Sequence, residues 1–278
     1  AGGALELVTL DPQAPPRAAG LARLWTWIER RKNAFGEEAQ AFGLTTPRGL
    51  LLLGVQGCGK SLAARVVAWK LGFPLLRLEA GRLFDKYIGE SEKRLDRALA
   101  AVERMAPCVL WVDEIEKALA SGGDGHADGG LSTRLVGRLL TWLQERQAAV
   151  FVVATCNDPR ALPPELMRKG RFDEVFFVDL PSEEERAAIL AVHLERRGRP
   201  AARFDLVSAA RTAEGFSGAE LEQAVVGALH RAFATGLDVE TGDLLAEIQE
   251  TRPLSQLRRE EVEALRAWAR ERAVPAGE

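Results

Sequence analysis

Gly54-Val-Gln-Gly-Cys-Gly-Lys-Ser61 has the spacing G-x-x-x-x-G-K-S and determines how the rest of the chain is interpreted. It follows the apolar residues 50–53 and precedes residues 62–71, whose apolar positions repeat with helical period. A strand, a glycine-rich loop and a helix in that order cradle phosphate, because glycines let backbone N–H groups turn towards an anion. In such a loop Lys60 reaches the β- and γ-phosphates, and the Ser61 hydroxyl coordinates Mg²⁺. The sequence therefore predicts a site for a nucleoside triphosphate.

The bulk composition excludes several classes of partner. The 278 residues are 47% hydrophobic and 28% charged, which is enough for one large α/β domain and a smaller one. A net charge of −3 provides no overall attraction to nucleic acid, so we expect no nucleic-acid partner. No apolar run approaches the roughly 20 residues of a membrane span, and the first residues lack the features of a signal peptide. We expect a cytoplasmic protein.

The three cysteines do not form a disulfide framework, and we interpret them as small core residues in a reducing compartment. Cys58 suggests one further hypothesis because it lies at a predicted helix N-terminus. A thiol there can have a lowered pKa, so Cys58 could act as a redox brake on nucleotide binding.

Short apolar runs alternate with helical patterns along the first two thirds of the chain, which predicts a parallel five-stranded sheet flanked by helices. The predicted strands are residues 50–55, 75–78, 109–112, 150–154 and 175–178. Ser182 and Glu185 have the spacing of a capping box, and the pattern beyond them is helical. The predicted domains are an extended lead-in at 1–18, an α/β nucleotide-binding subdomain at 19–180, a helical lid at 181–238 and a C-terminal helical extension at 239–278.

Polar side chains follow two of these predicted strands. Asp113 and Glu114 end the strand before them, and we expect Asp113 to hold the Mg²⁺ shell and Glu114 to polarise the attacking water. Asn157 ends a neighbouring strand and could hydrogen-bond the γ-phosphate or the water. Its alternative role is to cap the turn at Asp158. A water-activating acid favours hydrolysis over a small-molecule kinase.

Two arginines, Arg168 and Arg171, lie three residues apart near Gly170. Surface arginines are common, but arginine also suits the charge that develops on a γ-phosphate, and a neighbouring subunit often supplies it.

The order of these motifs resembles the AAA-type ATPases of the AAA+ superfamily. The resemblance runs from about Gly20 to Phe233 and includes the phosphate loop, residues 112–115, the block 154–173 and the lid signature Gly215-Phe-Ser-Gly-Ala-Glu-Leu221. In residues 107–117, 162–166 and 176–181 the chain is similar to plastid-encoded AAA proteins of unassigned function and their cyanobacterial and bacterial relatives. For a plastid lineage the compartment would be the stroma.

The resemblance implies a P-loop AAA+ module that binds ATP and Mg²⁺ and forms a homo-oligomer, usually a hexameric ring whose assembly can depend on nucleotide. It implies that Arg168 and Arg171 act in trans as arginine fingers and that Asn157 senses the γ-phosphate. It also implies a set of nucleotide-binding positions, namely Gly20, Leu21, Gln56, Gly57, Cys58, Gly59, Lys60, Ser61, Leu62, His193, Gly218 and Ala219. The phosphate loop departs from the family where Val55, Gln56 and Cys58 replace two prolines and a threonine, although all the chemically required positions are kept.

Lys86, Tyr87 and Ile88 coincide in the resemblance with a pore loop that grips unfolded polypeptide. An aromatic ring contacts many side chains without demanding a sequence. The alternative is that Tyr87 packs in the first turn of the following helix. Two functions follow: a ring ATPase that remodels or threads an unidentified protein partner, or an ATP-switched scaffold with slow hydrolysis and no threading.

Overall fold

The fold is organised around a seven-stranded, mostly parallel β-sheet. A computed structural model describes residues 4–11, 15–79, 88–120, 129–168 and 170–277. The strands are β1 (Leu5–Val8), β2 (Gly49–Gly54), β3 (Leu75–Glu79), β4 (Cys108–Asp113), β5 (Val150–Cys156), β6 (Glu174–Val178) and β7 (Val274–Pro275). Their order across the sheet is β1-β3-β4-β5-β2-β6-β7, and only the β1–β3 pair is antiparallel.

Twelve α-helices accompany the sheet in the described residues. They are α1 (Ala22–Glu29), α2 (Glu37–Ala41), α3 (Lys60–Leu71), α4 (Ile88–Arg104), α5 (Ile115–Ala120), α6 (Gly129–Glu145), α7 (Glu183–Arg196), α8 (Leu206–Thr212), α9 (Gly218–Thr235), α10 (Thr241–Glu250), α11 (Leu254–Leu257) and α12 (Arg259–Arg270). None of the helices that the structure describes has the length and apolar character needed to cross a membrane.

The central strands are buried on both faces, which explains their unbroken apolar sequences. Leu51 and Leu53 of β2 point into a core with apolar residues of α4 and α6, whereas Leu50 and Leu52 point into a second core with α1 and α3. All four leucines have no exposed surface. The five predicted strands are therefore confirmed, and they place the phosphate loop at the carboxyl edge of a covered sheet.

Helices α7–α10 share a third core, formed by residues such as Leu194, Phe216, Leu221 and Leu244. The predicted capping box is present, because the Ser182 hydroxyl accepts from the Glu185 amide and the Glu185 carboxylate accepts from the Ser182 amide. The all-helical character expected after residue 181 is confirmed as far as α12.

The sheet has two more strands than expected, one from each end of the described chain. Strand β1 lies within the predicted lead-in and pairs with β3, with Leu5 opposite Leu78. Strand β7 follows α12 and pairs with β6, with Val274 opposite Phe176. A strand of two to four residues at a sheet edge has too few positions to show an apolar period, so pattern analysis misses it.

Candidate active site

The phosphate loop joins β2 to α3 through glycines in conformations that other residues rarely adopt. Gly54 has φ 147°, and a Cβ there would lie 2.0 Å from the Val178 carbonyl oxygen of β6. Gly59, with φ 90°, is the N-cap of α3, and a Cβ added there would meet no atom within 4 Å. The loop is therefore packed against the sheet on one side and open at the helix N-terminus, where backbone N–H groups can bind an anion.

Lys60 is buried at the first position of α3. Its Nζ donates to the carbonyl oxygens of Gly54, at 2.7 Å, and Val55, at 2.8 Å. Burial lowers the pKa of Lys60 from its usual value. The ammonium group is thus held under the phosphate loop by the loop's own backbone.

Asp113 ends β4 and faces the phosphate loop. Its Oδ1 accepts from the Thr155 hydroxyl at 2.8 Å and from the Ser61 hydroxyl at 3.3 Å. Its Oδ2 accepts from the guanidinium group of Arg77 at 3.0 Å. Ser61 and Asp113 therefore lie together, and their oxygen atoms are the hard ligands that would suit Mg²⁺.

Glu114 follows Asp113 with a left-handed backbone, φ 48°, which turns its side chain out of the strand. The Glu114 amide donates to the Thr155 hydroxyl at 2.9 Å. Its Oε1 accepts from the Asn157 side-chain amide at 3.1 Å, and its Oε2 pairs with Lys117 Nζ at 2.5 Å. Asn157 thus contacts Glu114, the group expected to polarise the water.

Four contacting residues were missed in the sequence analysis: Arg77, Glu116, Lys117 and Thr155. Thr155 is a buried hydroxyl in an otherwise apolar strand, and Glu116 is a buried carboxylate that accepts from the Asn157 backbone amide. The polar position within β5 was a usable signal for Thr155. Arg77 needed the register of β3 against β4, which periodicity does not supply.

Among the described residues, no hydrogen bond or ion pair joins either predicted arginine finger to the phosphate loop of its own chain. Arg168 is exposed after a short 3₁₀ helix, Pro164–Met167. The Arg171 guanidinium donates to the Glu165 carbonyl oxygen, within its own loop. Their action on a neighbouring subunit stays a prediction.

A cavity of about 300 Å³ lies beside the phosphate loop. It collects most of the positions expected to bind the nucleotide, and its lining includes Gly20, Leu21, Gly57, Cys58, Gly59, Leu62, His193, Gly218 and Ala219. The Ala219 amide donates to the Gly57 carbonyl oxygen at 3.0 Å, which joins α9 to the phosphate loop. Gln56 lines a different cavity, of about 280 Å³, between the loop and α12.

His193 lies in the wall of the 300 Å³ cavity with 13% of its side chain exposed. Its Nδ1 is 3.4 Å from Glu222 Oε1 but has no hydrogen bond to the described residues. Burial lowers the pKa of His193, and the attraction of Glu222 offsets this only in part. A neutral imidazole with a free nitrogen can hydrogen-bond a nucleoside.

Segments from both ends of the chain meet at the edge of this cavity. The Ala276 carbonyl oxygen accepts from the amides of Arg23 and Leu24 in the first turn of α1, at 3.1 and 3.2 Å. Leu21 precedes that turn with φ 61°, and the Gly20 carbonyl oxygen accepts from the Trp25 indole at 2.8 Å. A residue that follows α12 therefore holds the first turn of α1, and Trp25 of α1 in turn holds the Gly20 carbonyl group.

The lowered pKa expected for Cys58 is wrong. Burial raises the pKa of this thiol to about 12, and the positive charge of nearby Lys60 offsets that effect only in part. Among the predicted pore-loop residues, Lys86 and Tyr87 lie outside the described residues, and Ile88 is the first residue of α4.

Comparisons with known proteins bear on the family and the fold of this chain. Residues 50–180 match the family described as "ATPase family associated with various cellular activities (AAA)". The chain is 43% identical over 251 residues to the "Uncharacterized AAA domain-containing protein ycf46" of Pyropia yezoensis, and equally to that of Trieres chinensis. These alignments cover 90% of this chain and 51% and 50% of the relatives, so the chain spans about half the length of the curated relatives it matches. A solved structure described as "Crystal structure of FIGL-1 AAA domain" superposes with a TM-score of 0.77, covering 98% of this chain and 93% of that one at 21% identity.

A glycine loop on a parallel sheet, followed by a strand that ends in paired carboxylates, defines a P-loop nucleotide fold. Through residues 50–180 the chain belongs to the AAA family. Over most of its length it is similar to the ycf46 proteins, and it shares its fold with the FIGL-1 AAA domain.

Proposed function

We propose that this chain is a Mg²⁺-dependent ATPase that works as a homo-oligomeric ring and couples hydrolysis to the remodelling or threading of a protein partner. The observation that carries the hydrolytic part is the position of Glu114. Glu114 follows Asp113 directly, and the Asn157 side-chain amide holds the Glu114 carboxylate in place. The Asp113 Oδ1 faces Ser61 at the phosphate loop. A carboxylate at this point can accept a proton from a water that attacks the γ-phosphate.

The chain's own residues divide the work. The loop amides and Lys60 bind the phosphates, and Ser61 and Asp113 would hold the metal, with Asp113 acting through a water. Mg²⁺, when bound, neutralises charge on the β- and γ-phosphate oxygens. Asn157 orients Glu114, which would hold the attacking water. The water and the γ-phosphate that it attacks would therefore both lie within reach of Asn157.

The ring is proposed from the arginine pair and from the family. Arg168 is exposed, and among the described residues no hydrogen bond or ion pair joins either arginine to the phosphate loop of its own subunit. A site that needs a cation at the γ-phosphate would then be completed by the neighbouring subunit. We place the active ring in the cytoplasm, or in the stroma where the lineage is plastid.

The test is Glu114→Gln, which keeps an oxygen acceptor for Asn157 but removes the base. We expect ATP hydrolysis to fall about 100-fold or more, the usual contribution of a general base, while ATP stays bound and the ring is stabilised. Asp158→Asn, in the turn after Asn157, is the matched control and should hydrolyse ATP like the parent. Hydrolysis by Glu114→Gln at the parental rate would overturn the assigned role.

One observation favours the alternative, an ATP-switched scaffold that turns over slowly. Both carboxylate oxygens of Glu114 are engaged, one by Asn157 and one by Lys117, so the base is restrained in the single chain. Tyr87→Ala separates the two functions. A threading ring should lose remodelling and keep its ATPase, with Tyr87→Phe active as the control, whereas a scaffold should be unaffected by either change.

A further inference from the structure

Arg77 occupies an unexpected position beside the predicted metal ligand. It lies in the middle of β3, opposite Trp111 of β4, and its guanidinium carbon is 4.7 Å from the centre of the Trp111 ring. The same guanidinium is 3.0 Å from Asp113 Oδ2 and 3.6 Å from Glu79 Oε1. An aromatic face and two carboxylates therefore hold one positive charge beside Asp113, at the carboxyl end of β4.

This contact divides the two oxygens of Asp113 between different partners. Oδ1 faces the hydroxyl groups of Ser61 and Thr155, on the side where a metal would be held. Oδ2 faces Arg77, on the opposite side of the carboxylate. Arg77 thus fixes the orientation in which Oδ1 points towards Ser61, and it offsets the charge that would attract a divalent cation.

The positive charge of Arg77 matters because carboxylates are numerous at this edge of the sheet. Four carboxylates of the described residues surround this edge of the sheet, namely Glu79, Asp113, Glu114 and Glu116, and the cations that contact them or the loop include Lys60, Arg77 and Lys117. Without the guanidinium group, Asp113 would lose its direct ion-pair partner, and 17% of its side chain is exposed. Such a carboxylate attracts divalent cations even when no phosphate is present to share them.

Accepting the proposed function of the site, we propose that Arg77 is a positioning residue that makes divalent-metal binding depend on the triphosphate. It aims Asp113 Oδ1 at Ser61 and lowers the affinity of the nucleotide-free protein for a divalent cation. The metal then binds together with the nucleotide, whose phosphates supply the missing negative charge.

The experiment measures Mn²⁺ binding to the full chain without nucleotide, by electron paramagnetic resonance of the free ion. Arg77→Gln removes the charge and keeps hydrogen-bond donors, and Arg77→Lys keeps the charge. We expect Arg77→Gln to bind Mn²⁺ about tenfold more tightly than the parent, as one removed ion-pair partner predicts, and Arg77→Lys to stay near the parent. Detectable binding only in Arg77→Gln would equally support the proposal.

A second readout uses a fluorescent, non-hydrolysable ATP analogue. In EDTA the affinity of Arg77→Gln for this analogue should fall because a cation near the phosphates is lost. The Mg²⁺ concentration that the variant needs for half-maximal binding of the analogue should fall as well. Arg77→Met, which keeps the contact with Trp111, should behave like Arg77→Gln and serves if the latter does not fold. Unchanged or weaker Mn²⁺ binding in a folded variant would overturn the proposal. That failure is distinguishable from failure of the ATPase assignment, which rests on hydrolysis by Glu114→Gln.

Discussion

The two ends of the candidate nucleotide site are built in different ways. At the phosphate end every functional side chain is held by another group: Lys60 donates to two loop carbonyls, and both oxygens of Asp113 and of Glu114 are engaged. At the nucleoside end the cavity wall collects residues from segments that are distant in sequence, and the buried His193 Nδ1 has no hydrogen bond to the described residues.

The difference separates what each end can control. Charges oriented before the ligand arrives lose little free energy to reorganisation, so they act strongly on affinity and rate. A wall assembled from distant segments acts mainly through shape and through the stability of the fold. Changes at the phosphate end should therefore have large effects on binding and hydrolysis, and changes at the nucleoside end should have small ones.

The largest effect should come from Lys60→Met. This change removes the buried cation beneath the phosphates, and we expect the affinity for ATP to fall about 100-fold or more, the scale of a lost charge-assisted contact in a site shielded from water. Lys70→Met changes the other lysine of α3, which pairs with Glu29 at the surface, and should bind ATP normally. Fluorescence titration with an ATP analogue measures both. Near-parental affinity in Lys60→Met would show that the Lys60 ammonium group does not contribute to phosphate binding.

A smaller effect, of opposite sign, should follow Lys117→Met. Lys117 is 64% exposed and pairs with Glu114 Oε2, so its removal frees one oxygen of the proposed base. An exposed pair of this kind is worth up to about 1 kcal/mol, so hydrolysis should rise by up to about fivefold. Phosphate release measures the rate, and Lys117→Arg should stay at the parental value. A slower Lys117→Met enzyme would mean that the lysine assists catalysis.

At the nucleoside end we expect a pH effect on stability. The pKa of His193 is lowered from 6.5 in the folded protein, so below that pH the unfolded chain takes up a proton that the folded chain resists. The free energy of unfolding should therefore decrease as the pH falls below 6.5. The positive charges of Arg196 and Arg197 also lower the pKa of His193, and the attraction of Glu222 raises it without reversing the shift.

His193→Gln should show a smaller decrease than the parent when denaturant unfolding is compared at about pH 7.5 and about pH 5.5. His230→Gln, at an exposed position of α9, is the control and should keep the parental decrease. Equal pH dependence in the parent and His193→Gln would show that His193 is not the group responsible.

The smallest effect concerns Cys58, which lines the nucleoside cavity. Because burial raises its pKa to about 12, the thiol is neutral at pH 7 to 9 and reacts slowly. Peroxide treatment at pH 7.5 should change ATP affinity by less than about twofold, with Cys58→Ala as the unreactive reference. A large loss of affinity in the parent alone would restore the redox hypothesis.

The phosphate end could be predicted from the sequence because one rule places it. Parallel strands bring their carboxyl ends to one edge, so Ser61, Asp113, Glu114 and Asn157 had to meet once the strands were known. Arg77 and Lys117 could not be predicted in the same way. Their contacts depend on strand register and on the left-handed turn at Glu114, which are consequences of the folded structure.

The nucleoside end could not be derived from local patterns. Gly20, His193 and Gly218 belong to segments that are distant in sequence, and only the resemblance to AAA proteins suggested that they share a site. The edge strands β1 and β7 were missed for a related reason, because their partners rather than their own residues determine them.

The hydrogen bonds from Arg23 and Leu24 to Ala276 also impose an order on biosynthesis. At about 5–20 residues per second, the ribosome adds residue 276 roughly 10–50 s after residue 23. Throughout that interval the amides at the start of α1 lack the carbonyl group that accepts from them. A nascent chain can therefore complete its phosphate loop long before it forms the hydrogen bonds that hold the first turn of α1, next to Gly20.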